Sequence, residues 1–302
     1  MLNYNNRSSK IRERAARGIF TVAALFSLGA LLVITIFLLC NGVPFIARTG
    51  FGKFVLGAEW RPLADTPSYG ILSMIVTSLY VTALAVIFGV VIGLSTAVCL
   101  YRFCPRKLVS PVRQMINLLA GIPSVIYGLF GMTVIVPFLR DYLSPTGVGY
   151  GILAAAIVLS VMILPTVVSV SLDYLSSVPI SYYEGALALG STEAEATFKI
   201  VLPAAKSGVT SGVILAVGRA LGETMAVIMV VGGSPEMPKS LFQSVRTLTS
   251  NIAMGAMELD ENTQEALIAS GVVLLVFALL LNISFSFLKQ DRSERRKRRG
   301  KV

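Results

Sequence analysis

Long apolar runs separated by short charged clusters dominate the chain. Gly18 to Cys40, Ser68 to Tyr101, Gln114 to Leu139, Tyr142 to Leu172 and Ala266 to Leu288 hold no Asp, Glu, Lys or Arg. Each exceeds the roughly 20 residues that an apolar helix needs to cross a bilayer. A sixth run, Ser207 to Val231, is interrupted only by Arg219 and Glu223. In hydrocarbon a segment must satisfy its own backbone, so the runs predict spanning helices, with Pro123 and Pro165 accommodated as kinks. The expected architecture is an all-α polytopic membrane protein with about six spans, near 18–40, 70–100, 115–139, 148–172, 207–232 and 266–288. The first run is longer than a signal-peptide core of about 7–15 residues, and no small-x-small site closes it. It is expected to stay as an anchor, with the mature chain beginning at or near Met1.

The charges between the runs set an orientation. Basic residues crowd the N-terminal arm 1–17, the loop holding Arg102, Arg106, Lys107 and Arg113, and the tail 289–302. Positively charged short loops stay cytoplasmic, so both termini and that loop are expected inside a bacterial inner membrane. The alternate loops fit: residues 41–67 carry three basic and two acidic side chains, and 233–265 carry two basic and five acidic ones. Of the 302 residues 55% are hydrophobic and 14% charged, a composition suited to lipid. The net charge of +10 therefore reads as topology and lipid anchoring rather than nucleic-acid binding. The three cysteines, 40, 99 and 104, form neither a disulfide framework nor a metal motif.

One inner segment breaks the charge rule. Residues 173–206 hold Lys199 and Lys206 against Asp173, Glu184, Glu193 and Glu195. Within it, Ser181 followed by Glu184 predicts a capping box, Gly190 a left-handed helix stop, and Thr192 followed by Glu195 a second box. Pro203 marks the junction with the fifth span. Residues 181–203 are thus expected to form a helix-Gly-helix elbow on the cytoplasmic face.

The spacing Glu184-x-Ala186, Gly190, then Ile200-x-Leu202-Pro203 resembles the EAA motif of ABC-importer permeases, with Gly185 where the first alanine usually stands. The resemblance implies a MetI-like permease fold for residues 18–288, whose coupling loop docks into a cleft on a separate ATP-binding subunit, with Glu184 contacting that subunit. The chain has no G-x-x-x-x-G-K-[ST] phosphate loop, so ATP and Mg would be used by the partner, and no catalytic residue, metal or bound cofactor is expected here. NLLAGIPSVIYGLFG (117–131), GRALGETMAV (218–227), EWRP (59–62) and SPEMPKSLFQSVRTLTSNIA (234–253) are similar to the phosphate-specific importer permeases of PstC type. That likeness implies a second, PstA-like permease subunit, a PstB-like ATPase dimer and a PstS-like phosphate-binding protein outside. Permeases for sulfate or molybdate are the nearest alternative. A membrane enzyme would need a catalytic constellation, and the chain has no histidine; a pure scaffold would need no charged pair in midmembrane.

Arg219 and Glu223 lie four residues apart in an apolar span, where each charge costs about 2.5–3.5 kcal/mol on insertion scales. They read either as a buried ion pair that fixes helix packing, helped by Gly218 and Gly222, or as a pathway arginine whose donor fork meets a phosphate oxyanion while Glu223 holds it. Gly121, Pro123, Ser124 and Gly128 are candidates for a bend or gate. Trp60 and Arg246 are candidates for binding-protein contact, although an interfacial anchor also explains the tryptophan.

Overall fold

The computed structural model describes residues 6–256 and 260–299, with side chains over 12–256 and 260–284. The basic side chains of the tail 289–302, and those of the arm before Arg12, lie outside the described residues. Among the described residues six helices are long and apolar enough to cross a membrane: Arg12–Thr49, Leu72–Phe103, Ser124–Leu143, Ile152–Ser176, Glu193–Gly222 and Glu261–Ser284.

The first belongs to α1 (Asn6–Thr49), which is followed by a short α2 (Phe51–Leu56) and a two-stranded hairpin, β1 (Trp60–Arg61) with β2 (Ser68–Tyr69). The second span is α3 (Leu72–Val98), extended by a π-helical turn over Cys99–Phe103. The run expected as one helix over 115–139 is divided. An amphipathic α4 (Arg106–Ala120) stops at Gly121, and the third span begins after Pro123 as α5 (Ser124–Phe130), continuing through π-helical turns around α6 (Val136–Phe138). The reason is Pro123, which disfavours helix in the residue before it. Freed backbone groups at the stop are satisfied locally: the Gly121 amide donates to the Leu118 carbonyl at 3.0 Å, and the Tyr127 hydroxyl donates to the Leu119 carbonyl at 2.7 Å. Pro123 is thus a boundary, whereas Pro165 lies inside a helix.

The fourth span, α7 (Ile152–Ser176), is the centre of the bundle. Glycines allow close approach to it. A Cβ at Gly89 or Gly93 of α3 would collide with Ile163 or Val167 of α7. The elbow follows as α8 (Ile180–Ala188) and α9 (Glu193–Glu195), and α9 runs through a π-helical turn, Ala196–Val201, into α10 (Leu202–Gly222). A proline has no amide to donate and its ring crowds the carbonyl four residues back, so the widened turn accommodates Pro203 without ending the helix. After a break come α11 (Met225–Val231), an extended strap, α12 (Leu248–Gly255) and α13 (Glu261–Arg299). Within the chain α1 leans chiefly on α13, pinned by an Arg48–Glu265 ion pair at 2.7 Å. Most of its apolar surface is left open.

At the hairpin end Phe45, Phe54, Trp60 and Tyr69 stack edge to face. Burial and the negative charge of Asp260 push the Tyr69 phenol above its usual pKa. The strap is laced to the bundle: Val245 pairs with Val231 and Gly233, and the Leu153 amide donates to the Leu241 carbonyl at 3.1 Å.

Candidate functional site

The fifth run predicts a single helix over 207–232, with Arg219 and Glu223 stacked one turn apart. The helix instead breaks between them and α11. Gly222 is the last helical residue, and Glu223 is extended at φ −71° and ψ 128°. Gly and Thr are poor helix formers, so Gly222 and Thr224 make this the weak point of the run.

The break is fully built. In a continuous helix the Ala226 amide would donate to the Gly222 carbonyl, and the Glu223 carbonyl would accept from the Val227 amide. Here the Ala226 amide donates to Glu223 Oε1 at 3.1 Å. The Glu223 carbonyl accepts from the Thr249 hydroxyl of α12 at 3.1 Å. The α11 helix then restarts with the Ile228 amide on the Thr224 carbonyl at 2.9 Å.

Arg219 and Glu223 therefore form no ion pair, because the second residue has left the helix that would have stacked it on the first. Among the described residues none of the salt bridges includes either side chain. The Arg219 guanidinium is exposed and makes one long hydrogen bond, from Nη1 to Thr166 Oγ1 on α7 at 3.4 Å. Tyr127 of α5 lies within its electrostatic reach. Gly218 and Gly222 face open space, where a Cβ would meet nothing. They border an apolar cavity of about 400 Å³ between α1, α10 and α13.

The third span meets this break directly. A Cβ at Gly128 would come within 2.8 Å of Met229 Sδ and 3.0 Å of Ala226 Cα, so α5 and α11 touch through that glycine. Gly121, Pro123 and Ser124 sit at the α4–α5 break, one turn or more away along the chain. The two broken segments are thus packed together through Gly128.

At the other end of the bundle the elbow is ordered by local chemistry. Gly190 has φ +87°, and the Ser191 amide reaches back to the Ala186 carbonyl while Gly190 reaches Leu187, at 3.1 and 2.9 Å, a Schellman stop. The Thr192–Glu195 box is present in both directions at 3.2 Å. The Ser181–Glu184 box is not formed: the N-cap of α8 is Pro179, two residues before Ser181, which places Ser181 inside the first turn. Glu184, Gly190 and Pro203 are exposed, Ile200 is 41% exposed, Leu202 is half-buried and Ala186 is buried. Leu189, at the tip, is 90% exposed, a residue that sequence reasoning passed over although its place beside Gly190 signals it.

Trp60 is only 5% exposed and packs its ring edge-on against Tyr69, which places it in the core at the hairpin end. Arg246 is also engaged, donating from Nε to the Gly233 carbonyl at 2.8 Å and from Nη1 to Asn251 Oδ1 at 3.0 Å.

Residues 89–299 match the family described as the binding-protein-dependent transport system inner membrane component. The chain belongs to that family. It is therefore a multi-pass permease subunit of a transporter that also requires an ATP-binding subunit and a substrate-binding protein. The permease is 37% identical over 295 residues to the probable ABC transporter permease protein YqgH of Bacillus subtilis, covering 95% of this chain and 94% of the relative. It is 34% identical to the phosphate transport system permease protein PstC of Mesorhizobium japonicum, over 86% of this chain and 84% of that one. Its fold is that of solved importers. The MetNI methionine ABC transporter in an inward-facing conformation aligns with TM-score 0.59 and 21% identity over 73% of this chain and 95% of that one. A bacterial ABC transporter importing alginate aligns with TM-score 0.63 and 15% identity over 93% and 99%.

Proposed function

We propose that this permease is one of two channel-forming subunits of an ATP-driven importer of inorganic phosphate in a bacterial inner membrane. The observation that carries the reading is Arg219, an arginine in a spanning helix left without a carboxylate partner at a built break. A cation in hydrocarbon is unfavourable unless something negative meets it, and a planar five-donor fork suits a tetrahedral oxyanion. Glu223 turns its carboxylate to the Ala226 amide, so its charge is held by backbone rather than opposed to the anion. The relatives that bear the PstC name favour phosphate over sulfate or molybdate.

In this reading both termini and the elbow are cytoplasmic, and the hairpin and strap face a PstS-like protein that delivers phosphate. The partners are a PstA-like permease and a PstB-like ATPase dimer. The elbow offers that ATPase an apolar tip, Leu189, and on the same short helix-turn unit the exposed Glu184. Nucleotide binding there would draw the elbow inward and alternate the pathway between its two openings. The chain performs no covalent chemistry.

The test is phosphate uptake by vesicles holding the whole complex and the binding protein. Arg219→Gln should leave the complex assembled and reduce uptake to background, with excess sulfate unable to compete in the parent; undiminished uptake would remove Arg219 from the mechanism.

A further inference from the structure

We propose that Thr249 is a positioning residue for transport, its hydroxyl keeping the fifth span broken directly after Arg219 and tying that break to the strap. The inference rests on the phosphate-permease reading and extends it to a residue on another element.

The chemistry of the break leads there. Ending α10 at Gly222 releases the Glu223 carbonyl from its helical partner, the Val227 amide. In a membrane interior a freed carbonyl must find a donor within the protein. The donor present is Thr249 Oγ1 at 3.1 Å, supplied by α12 from 26 residues along the chain. The Thr249 side chain is itself buried, 6% exposed, so water does not readily replace it.

The α12 helix is in turn capped and held to two other elements. Its Leu248 amide donates to Ser78 Oγ of α3 at 3.0 Å. Thr247 and Ser250 close a capping box at its start. Arg246 bridges the Gly233 carbonyl and Asn251 Oδ1, which fixes α12 to the strap. The chain of contacts therefore runs from the strap through Arg246 and Asn251 to α12, then through Thr249 to the carbonyl that follows Arg219 by four residues. Without the hydroxyl, the Glu223 carbonyl regains its helical partner as its best acceptor–donor match, α10 extends toward α11, and Arg219 is turned from its place beside Thr166. Thr249 touches neither the anion nor Arg219, so it acts by position.

The experiment compares Thr249→Val, which keeps the shape and removes the hydroxyl, with Thr249→Ser, which keeps the hydroxyl, in the complete complex with its binding protein. A thiol at Gly222→Cys reports the break, since a Cβ there meets nothing; Cys40, Cys99 and Cys104 are first replaced. T249V should lower phosphate uptake about tenfold and change the labelling rate at position 222 at least threefold. Labelling of a Leu63→Cys reporter on the hairpin should stay unchanged. T249S should restore both readouts to within twofold of the parent. Uptake and labelling in T249V within twofold of the parent overturn the proposal, and so does a T249S complex as impaired as T249V. If T249V does not assemble, T249S alone decides by the same criterion. Failure of the parent complex to take up phosphate would instead defeat the phosphate reading.

Discussion

At Arg219 the unusual fact is the missing partner. A guanidinium one turn from a glutamate normally pairs with it, and here the backbone departs before the carboxylate can stack. That arrangement leaves the donor fork available, and it makes fork geometry the property under test. Arg219→Lys keeps the charge but supplies a point ammonium, so uptake is expected to fall at least tenfold, measured beside Arg219→Gln in the same vesicles; full activity in the lysine variant would show that charge alone suffices. Gly190 is the second residue whose identity is dictated by geometry. Its φ of +87° costs an L-residue roughly 1–2 kcal/mol, so Gly190→Ala should shift the elbow away from its stop and reduce co-purification of the ATPase subunit several-fold. Gly190 and the Thr192–Glu195 box were legible in the sequence because both are local. Thr249 was not, because its partner is 26 residues distant and nothing in its neighbourhood distinguishes it from the hydroxyls of Thr247 and Ser250. Trp60 shows the converse: an aromatic in a loop reads as exposed until the fold brings Phe45 and Tyr69 around it.

At the scale of elements, the spans were readable wherever an uncharged run was long enough, and the breaks were not. Hydropathy counts apolar residues: the α4–α5 interruption is uncharged, and at α10–α11 the single Glu223 leaves the run apolar enough to read as one helix. What divides them is the supply of alternative partners for the freed backbone: Tyr127 for one and Thr249 with Glu223 for the other. The two interrupted segments meet at Gly128, and that contact tolerates little volume. Inserting methyl groups into packed interiors commonly costs 1–3 kcal/mol. Gly128→Val should therefore force α5 away from α11, lowering both the unfolding temperature of the purified complex and its uptake. Gly52→Ala, at an exposed site away from the elbow and both breaks where a Cβ meets nothing in the chain, should change neither.

Across the whole molecule, the question is how a push at the elbow reaches a break at the other end of the bundle. The path has two rails. One is covalent: α9, the π-helical turn and α10 form one continuous helix, so the elbow and Arg219 share a rod. The other is packing. The Arg102 guanidinium lies 3.9 Å from the centroid of the Tyr183 ring, and Phe103 stacks on Phe198, which fastens the elbow to the end of α3. Tyr183 is 1% exposed and next to Glu184, so the residue beside the proposed ATPase contact is rooted in the core. Because α3 and α10 both pack on α7, the elbow should carry them together, and the break after Gly222 frees α10 to turn relative to α11, which is packed on α5 and tied to the outer end of α7 by the Gly151 amide on the Val230 carbonyl at 3.1 Å. A cation–π contact is worth about 0.5–1 kcal/mol when exposed and about 2 when desolvated; an exposed Arg102 on a buried Tyr183 ring lies between these and sets the size of the effect. Arg102→Ala should loosen the second rail without cutting the first, so the complex should still assemble and transport, with phosphate moved per ATP hydrolysed falling by no more than about fivefold. A loss of all uptake with the ATPase still attached would show that the packing rail, rather than the continuous helix, carries the stroke. An unchanged ratio of phosphate to ATP would show that the elbow drives α10 alone.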